Sequence, residues 1–200
     1  GLFYAAKEQG IKIFEFQHGN IDKTHIAYSY DQEIAYRSDD VINPDVLFTF
    51  SNYWETKFYN PFIKFITLGN DYFYEKQIPV EKNALTIISS NFNHEELKNF
   101  TIQILSKFPQ LQIYYKLHPH QFLQLDEIRD FFSKYANIHV ISNEYSVPKL
   151  ISKSVAILTI VSTAVYEALH NNVKAIILKK DDYLSHQDIF DNPNVHLVDN

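Results

Sequence analysis

From residue 84 onward, short apolar runs rich in β-branched residues alternate with stretches whose apolar positions recur at helical spacing. The runs at 84–88, 111–115, 138–141, 155–161 and 173–178 read as strands. The stretches near 94–107, 121–135, 147–153 and 164–171 read as helices. Strands that alternate with helices predict βαβ units and a parallel sheet, with right-handed crossovers that wind helices over both faces. The expected architecture is therefore a Rossmann-like, doubly wound α/β layer. Local signals agree with these boundaries. Asn93 stands where a helix cap belongs, ahead of Glu95 and Glu96, whose charge suits the positive end of the helix dipole. Ser146 followed by Pro148 opens the short helix, and Pro109 stops the long one.

Residues 1–83 are less regular. A helix at 1–9 leads into a strand at 11–16, and the polar stretch 21–43 has no clear period. It is expected to be a long loop, of a kind that is often functional or mobile. A strand at 46–50, a helix at 52–59 and a strand at 63–68 follow, and 77–83 suits a linker. The chain closes on a strand that begins at Val195. The pattern thus changes near residue 84, from the less regular stretch 1–83 with its linker to the Rossmann-like run 84–200. With no methionine even at position 1, the sequence is expected to be part of a longer protein.

Composition narrows the function. The 200 residues are 46% hydrophobic and 16% aromatic, ample for a packed core. Net charge is −6, from 24 acidic against 18 basic residues, and no Lys/Arg block stands out. That balance argues against nucleic-acid binding, which needs phosphate neutralisation. The absence of cysteine excludes disulfides, zinc-thiolate sites and thiol catalysis, and fits a reducing compartment. No apolar run approaches the roughly 18–20 residues of a membrane span. The nine histidines are scattered, and the acidic pairs Asp39-Asp40, Glu95-Glu96 and Asp181-Asp182 lack metal-ligand spacing, so they read as solvated faces. No metal site and no cofactor are expected.

The candidate chemistry lies at the carboxyl ends of the expected strands, where open α/β sheets bind ligands. In Lys116-Leu117-His118-Pro119, the proline biases His118 towards extended backbone, so its imidazole is held where it can donate to a phosphate oxygen. Lys116, two residues earlier, shares that face of a regular strand; it adds positive charge there or is a solvated edge lysine. Ser162-Thr163 opens a helix after a buried strand, a place suited to an anion but also a common purely structural cap. Glu167, one turn on among Ala164, Val165, Ala168 and Leu169, is placed to take two ribose hydroxyls or to stand as a solvated helix glutamate. Ser89-Ser90-Asn91 either faces a phosphate across a cleft or simply makes the turn. His18, in Gln17-His18-Gly19-Asn20 with His25 nearby, is a general-base candidate or a turn-capping histidine.

Taken in order, Gln17-His18-Gly19, Pro44-Asp45, Lys116-Leu117-His118-Pro119 and Ser162-Thr163-Ala164-Val165-Tyr166-Glu167-Ala168-Leu169 resemble the motifs of GT-B glycosyltransferases of bacterial surface and capsular polysaccharide synthesis. Related patterns occur in His-Pro-motif sialyltransferases and in CDP-glycerol glycerophosphotransferases. The resemblance implies two Rossmann-like lobes with a cleft between them, residues 1–83 being the C-terminal part of the acceptor lobe with its linker and residues 84–200 the lobe that holds most of the nucleotide donor. It implies His118 at the donor phosphate, Ser162 and Thr163 as phosphate-binding hydroxyls, Glu167 at the ribose and His18 facing the acceptor. It further implies a cytoplasmic, metal-independent transferase with a nucleotide-sugar donor and a glycan or lipid-linked glycan acceptor. Peripheral association with the inner face of the membrane would come through regions outside this sequence. Two departures are visible. Asp39-Asp40 is followed by Val41 rather than the glycine of the sialyltransferase acidic motif, and His170-Asn171-Asn172 replaces the usual glycine after the Glu-Ala-Leu helix. Asparagine tolerates the left-handed cap, so the second departure is mild. A nucleotide-sugar epimerase of the same fold and a non-catalytic carbohydrate-assembly or partner-binding module stand as alternatives.

Overall fold

The computed structural model describes residues 1–37, 41–69, 83–90 and 93–199. Asp39, Asp40, Asn91 and nearly all of the expected linker lie outside the described residues. The chain divides into two compact units, Gly1–Asp71 and Tyr72–Asn200.

The first unit holds α1 (Leu2–Glu8), β1 (Phe14–Phe16), β2 (Val46–Thr49), α2 (Asn52–Glu55) and β3 (Lys64–Thr67). Its three strands form a parallel sheet in the order β1-β2-β3. Strand β1 is shorter than the apolar run from residue 11. Gly10 takes φ +65° after α1, and the Ile11 N–H turns back to the Ala6 carbonyl, closing a Schellman motif. The Ile13 N–H is then taken by the Asp45 carboxylate at 2.7 Å. Helix α2 is likewise a single turn rather than the expected 52–59. Thr56 donates both its N–H and its hydroxyl to the Tyr53 carbonyl, and Phe58 turns into the core. The described residues of 21–43 make turns only; residues 31–37 are exposed, and the stretch is anchored to the unit at Ile21, Tyr28 and Asn43. Ile21 and Tyr28 are buried with Leu47, Phe58 and Ile63, and the Asn60 amide ties the Tyr28 carbonyl to Asn43.

The second unit contains β4 (Ala84–Ile88), α3 (His94–Lys107), β5 (Gln112–Lys116), a 3₁₀ segment (Pro119–Gln124), α4 (Leu125–Phe132), β6 (Ile138–Ile141), α5 (Val147–Lys153), β7 (Ala156–Thr159), α6 (Ala164–His170), β8 (Lys174–Leu178), a second 3₁₀ segment (Asp181–Ile189) and β9 (Val195–Val198). Its six strands are all parallel, in the order β6-β5-β4-β7-β8-β9. Counted from β4, this is 3-2-1-4-5-6, the doubly wound order of dinucleotide-binding folds. Alternation along the strands feeds two layers. Leu85, Ile87, Ile113, Tyr115 and Leu117 pack with α3 and α4, whereas Ile88, Ile157, Ala175 and Ile177 pack with α5 and α6. Ser146 caps α5 as expected, its hydroxyl accepting the Lys149 N–H at 3.3 Å. Asn93 holds the N-cap position of α3 but with φ 60° and no side-chain capping bond, so the capping expected of it is not made.

Candidate functional site

The switch point of this sheet lies between β4 and β7, the two strands from which the chain winds in opposite directions. Their pairing runs from Leu85↔Ala156 to Ile87↔Leu158 and then stops. Beyond it, the Ser89 N–H donates to the Lys116 carbonyl on the β5 side at 2.9 Å. On the β7 side, the buried Thr159 hydroxyl donates to the Ile88 carbonyl at 3.1 Å. Ligands of open α/β sheets occupy the crevice outside the strand ends at such a point. Seven of the eight candidate residues stand along this edge: Ser89 and Ser90 after β4, Lys116 and His118 at and after β5, and Ser162, Thr163 and Glu167 after β7.

His118 is held on two sides. Its backbone is extended, φ −68° and ψ 145°, as the following proline requires. Its N–H donates to the Gln121 Oε1 at 2.9 Å, while its Nδ1 accepts the His120 N–H at 3.3 Å. This is a capping box at the start of the 3₁₀ segment. Because Nδ1 accepts, the proton of the neutral ring sits on Nε2, a donor directed away from the backbone. Burial, helped by neighbouring His120, lowers the His118 pKa and favours that neutral form. His120 is the partner in this arrangement, and Gln121, absent from the sequence candidates, is its anchor. The spacing from Pro119 to Gln121 was the available signal.

The turn from β7 into α6 is more engaged than a free helix start. The Ser162 N–H donates to His186 Nε2 at 3.2 Å, and the Ser162 hydroxyl accepts the Ala164 N–H at 3.2 Å. The Val165 N–H closes on the Ser162 carbonyl at 3.2 Å. Half-buried Thr163 makes no side-chain capping bond, and the Ser162 hydroxyl keeps its proton to donate. Glu167 follows on the first turn of α6. Burial alone pushes its carboxyl up to about 7, with no hydrogen bond or cation beside it among the described residues. His186 is the second residue that the sequence did not single out. It lies in a polar run whose pattern gives no hint of burial.

Lys116 and Ser89 are turned elsewhere. The Lys116 ammonium donates to the Ser142 carbonyl beyond β6, the neighbour on the side away from the switch point. Burial lowers its pKa, against the opposing pull of Glu144. The Ser89 hydroxyl meets buried Tyr115 at 3.3 Å, within the α3–α4 layer. Ser90 is half-buried at the same strand end.

His18 belongs to the first unit, just past the carboxyl end of β1, and its side chain is exposed. The loop that carries it is fixed by Gln17, 4% exposed. The Gln17 amide donates to the Gly19 carbonyl at 2.9 Å, and its Oε1 accepts the Phe50 N–H at 3.0 Å. Among the described residues no cluster of three or more His, Cys, Asp or Glu could hold a metal ion, and no helix is long and apolar enough to cross a membrane.

Comparison with solved structures places this architecture. The pneumococcal O-GlcNAc transferase GtfA, in complex with UDP and GlcNAc, matches 100% of the chain at 16% identity and a TM-score of 0.53. A GtfA/B complex matches equally fully at 15% identity and a TM-score of 0.52. An S. aureus MnaA–UDP structure matches 91% of the chain at 16% identity and a TM-score of 0.51. The fold is GT-B-like. The chain covers 43%, 43% and 55% of those three chains, respectively. No protein-family model and no curated protein matches the sequence.

Proposed function

We propose that the chain is part of a glycosyltransferase that moves a sugar, or a related polyol phosphate, from a nucleotide-activated donor to a cell-surface glycan acceptor. The observation that carries the reading is Glu167: a half-buried carboxyl with no cation beside it among the described residues, one turn beyond two hydroxyls, at the edge of a Rossmann-ordered sheet. Such a group is suited to two adjacent hydroxyls of a ribose. The similarity to structures that hold UDP supports a nucleotide as the ligand.

In this reading the acceptor hydroxyl attacks the donor carbon, or the phosphorus of a polyol phosphate. The bond to the leaving phosphate breaks with its electron pair on oxygen. Ser162, Thr163 and the His118 Nε2–H stabilise that charge, and His18 is assigned the proton of the acceptor hydroxyl. The resemblance to metal-independent enzymes of capsule and lipopolysaccharide synthesis assigns no metal to the step. It also suggests a cytoplasmic protein working at the inner face of the membrane on a glycan or lipid-linked glycan.

Titration calorimetry of the chain against CMP, CDP, UDP and GDP tests the reading. One nucleotide is expected to bind, and His118→Ala is expected to weaken or abolish transfer while the far-UV spectrum stays native. Binding of none of the four would instead favour a non-catalytic module. Turnover of a nucleotide sugar without any acceptor would favour an epimerase.

A further inference from the structure

His186 has 0% of its surface exposed, yet it belongs to no motif. It stands in the 3₁₀ segment Asp181–Ile189, which follows β8, the strand beside β7. Its Nε2 accepts the Ser162 N–H at 3.2 Å. An imidazole nitrogen accepts only when it carries no proton, so the neutral ring holds its proton on Nδ1. A second link runs between the same elements. The Tyr166 ring lies edge-on to His186 at 5.6 Å, and the Tyr166 hydroxyl donates to Asp188 at 3.4 Å. The segment thus grips the start of α6 through the Ser162 backbone and again through the Tyr166 side chain.

We propose that His186 is the positioning residue of the Ser162-Thr163 turn: its Nε2 holds the Ser162 amide and so sets where the two hydroxyls and Glu167 meet the nucleotide. This rests on the nucleotide-binding reading above and adds to it a residue that touches no ligand and acts through the backbone. The physical ground is the amide. Without an acceptor, a half-buried N–H is left unpaired, and the turn relaxes to pair it again. Its other hydrogen bonds are local: the Ala164 N–H on the Ser162 hydroxyl, the Val165 N–H on the Ser162 carbonyl and the Tyr166 N–H on the Thr163 carbonyl. The Tyr166–Asp188 link holds α6 beyond the turn without pairing the Ser162 amide. A displacement of about 1 Å in groups that position a substrate is enough to cost binding and rate heavily.

Two substitutions separate the acceptor from the ring. His186→Phe keeps the ring volume and removes the acceptor, whereas His186→Gln keeps an acceptor. For the nucleotide that binds best in the panel of CMP, CDP, UDP and GDP, Kd is expected to rise at least about tenfold in His186→Phe. In His186→Gln it is expected to stay within about threefold of the parent. Thermal midpoints measured alongside show that the compared proteins are folded. Unchanged affinity in His186→Phe, or equal losses in both variants, would overturn the role. Should His186→Phe fail to fold, imidazole ¹⁵N spectra of the parent chain decide, with His186 assigned by the signal missing in His186→Gln. A protonated Nδ1 and bare Nε2 are expected, and a proton on Nε2 overturns the proposal. A parent chain that binds none of the four nucleotides removes the functional reading itself and this role with it. That outcome is distinct from the others, which all start from a parent that binds.

Discussion

A carboxylic acid withdrawn from water keeps its proton to higher pH than one in solution. Half-buried Glu167, with no cation beside it among the described residues, is such a group, its pKa pushed up to about 7 by burial. In the unfolded chain the same carboxyl ionises near its ordinary value of about 4.3. Between those two values the native state holds a proton that the unfolded state has released, so stability falls as pH rises through that window and levels off above it. Glutamine cannot ionise, so Glu167→Gln is expected to remove this slope. Measured by urea unfolding, the stability difference between Glu167→Gln and the parent should be larger at pH 8 than at pH 4 by roughly 2–3 kcal/mol. Parallel pH profiles would show that Glu167 is better solvated than its surroundings indicate. At this scale the sequence revealed positions but not directions. The strand-end places of His118, Ser162 and Glu167 follow from periodicity. The turn of Lys116 towards Ser142 and of Ser89 towards Tyr115 depends on neighbours 26 residues away in the chain.

Among the elements, α6 shows how a local departure from a pattern is absorbed. Asn172 takes φ 56° after the helix, its N–H bonds the Leu169 carbonyl, and the Val173 N–H reaches the Ala168 carbonyl at 2.8 Å. This is a Schellman motif with asparagine in the left-handed position, as the His170-Asn171-Asn172 sequence allowed. Asn172→Ala is expected to lower stability by about 1 kcal/mol, because alanine pays for a left-handed backbone with nothing in return. Asn172→Gly should hold or raise it by a few tenths. Urea midpoints at constant slope check both. Elements with strong periodicity and punctuation were legible to the residue: β4, α3, β6 and α5 have the bounds that the pattern predicted. Where side chains compete for backbone groups, the pattern misled. Asp45 and the Ala6 carbonyl cut β1 short, and Thr56 ends α2 after one turn. His118 and Gln121 likewise divert the chain into a 3₁₀ segment before α4 begins.

On the scale of the whole molecule, the two units differ in how much apolar surface they enclose. The first has one small core of Ile21, Tyr28, Leu47, Phe58 and Ile63, and it leaves Phe14 and Phe16 at 55% and 65% exposure. The second packs both faces of six strands, with helices α3 and α4 on one side and α5 and α6 on the other. Parallel strands are stable when both faces are covered, so the first unit should unfold first. The chain reports this directly. Its single tryptophan, Trp54, is buried in the first unit, whereas most helical residues lie in the second. In a urea titration, Trp54 fluorescence is expected to change at lower denaturant than the far-UV circular dichroism. Coincident midpoints would show one cooperative unit instead. A bound nucleotide sharpens the test, because a ligand stabilises only the unit that holds it. At a concentration of about 100 times Kd, that gain is about 2.7 kcal/mol. If the nucleotide rests on Ser162, Thr163 and Glu167, the circular-dichroism transition moves to higher urea and the Trp54 transition stays. If instead the Trp54 transition moves with it, the first unit contributes to the binding free energy, and His18 becomes the first residue there to substitute.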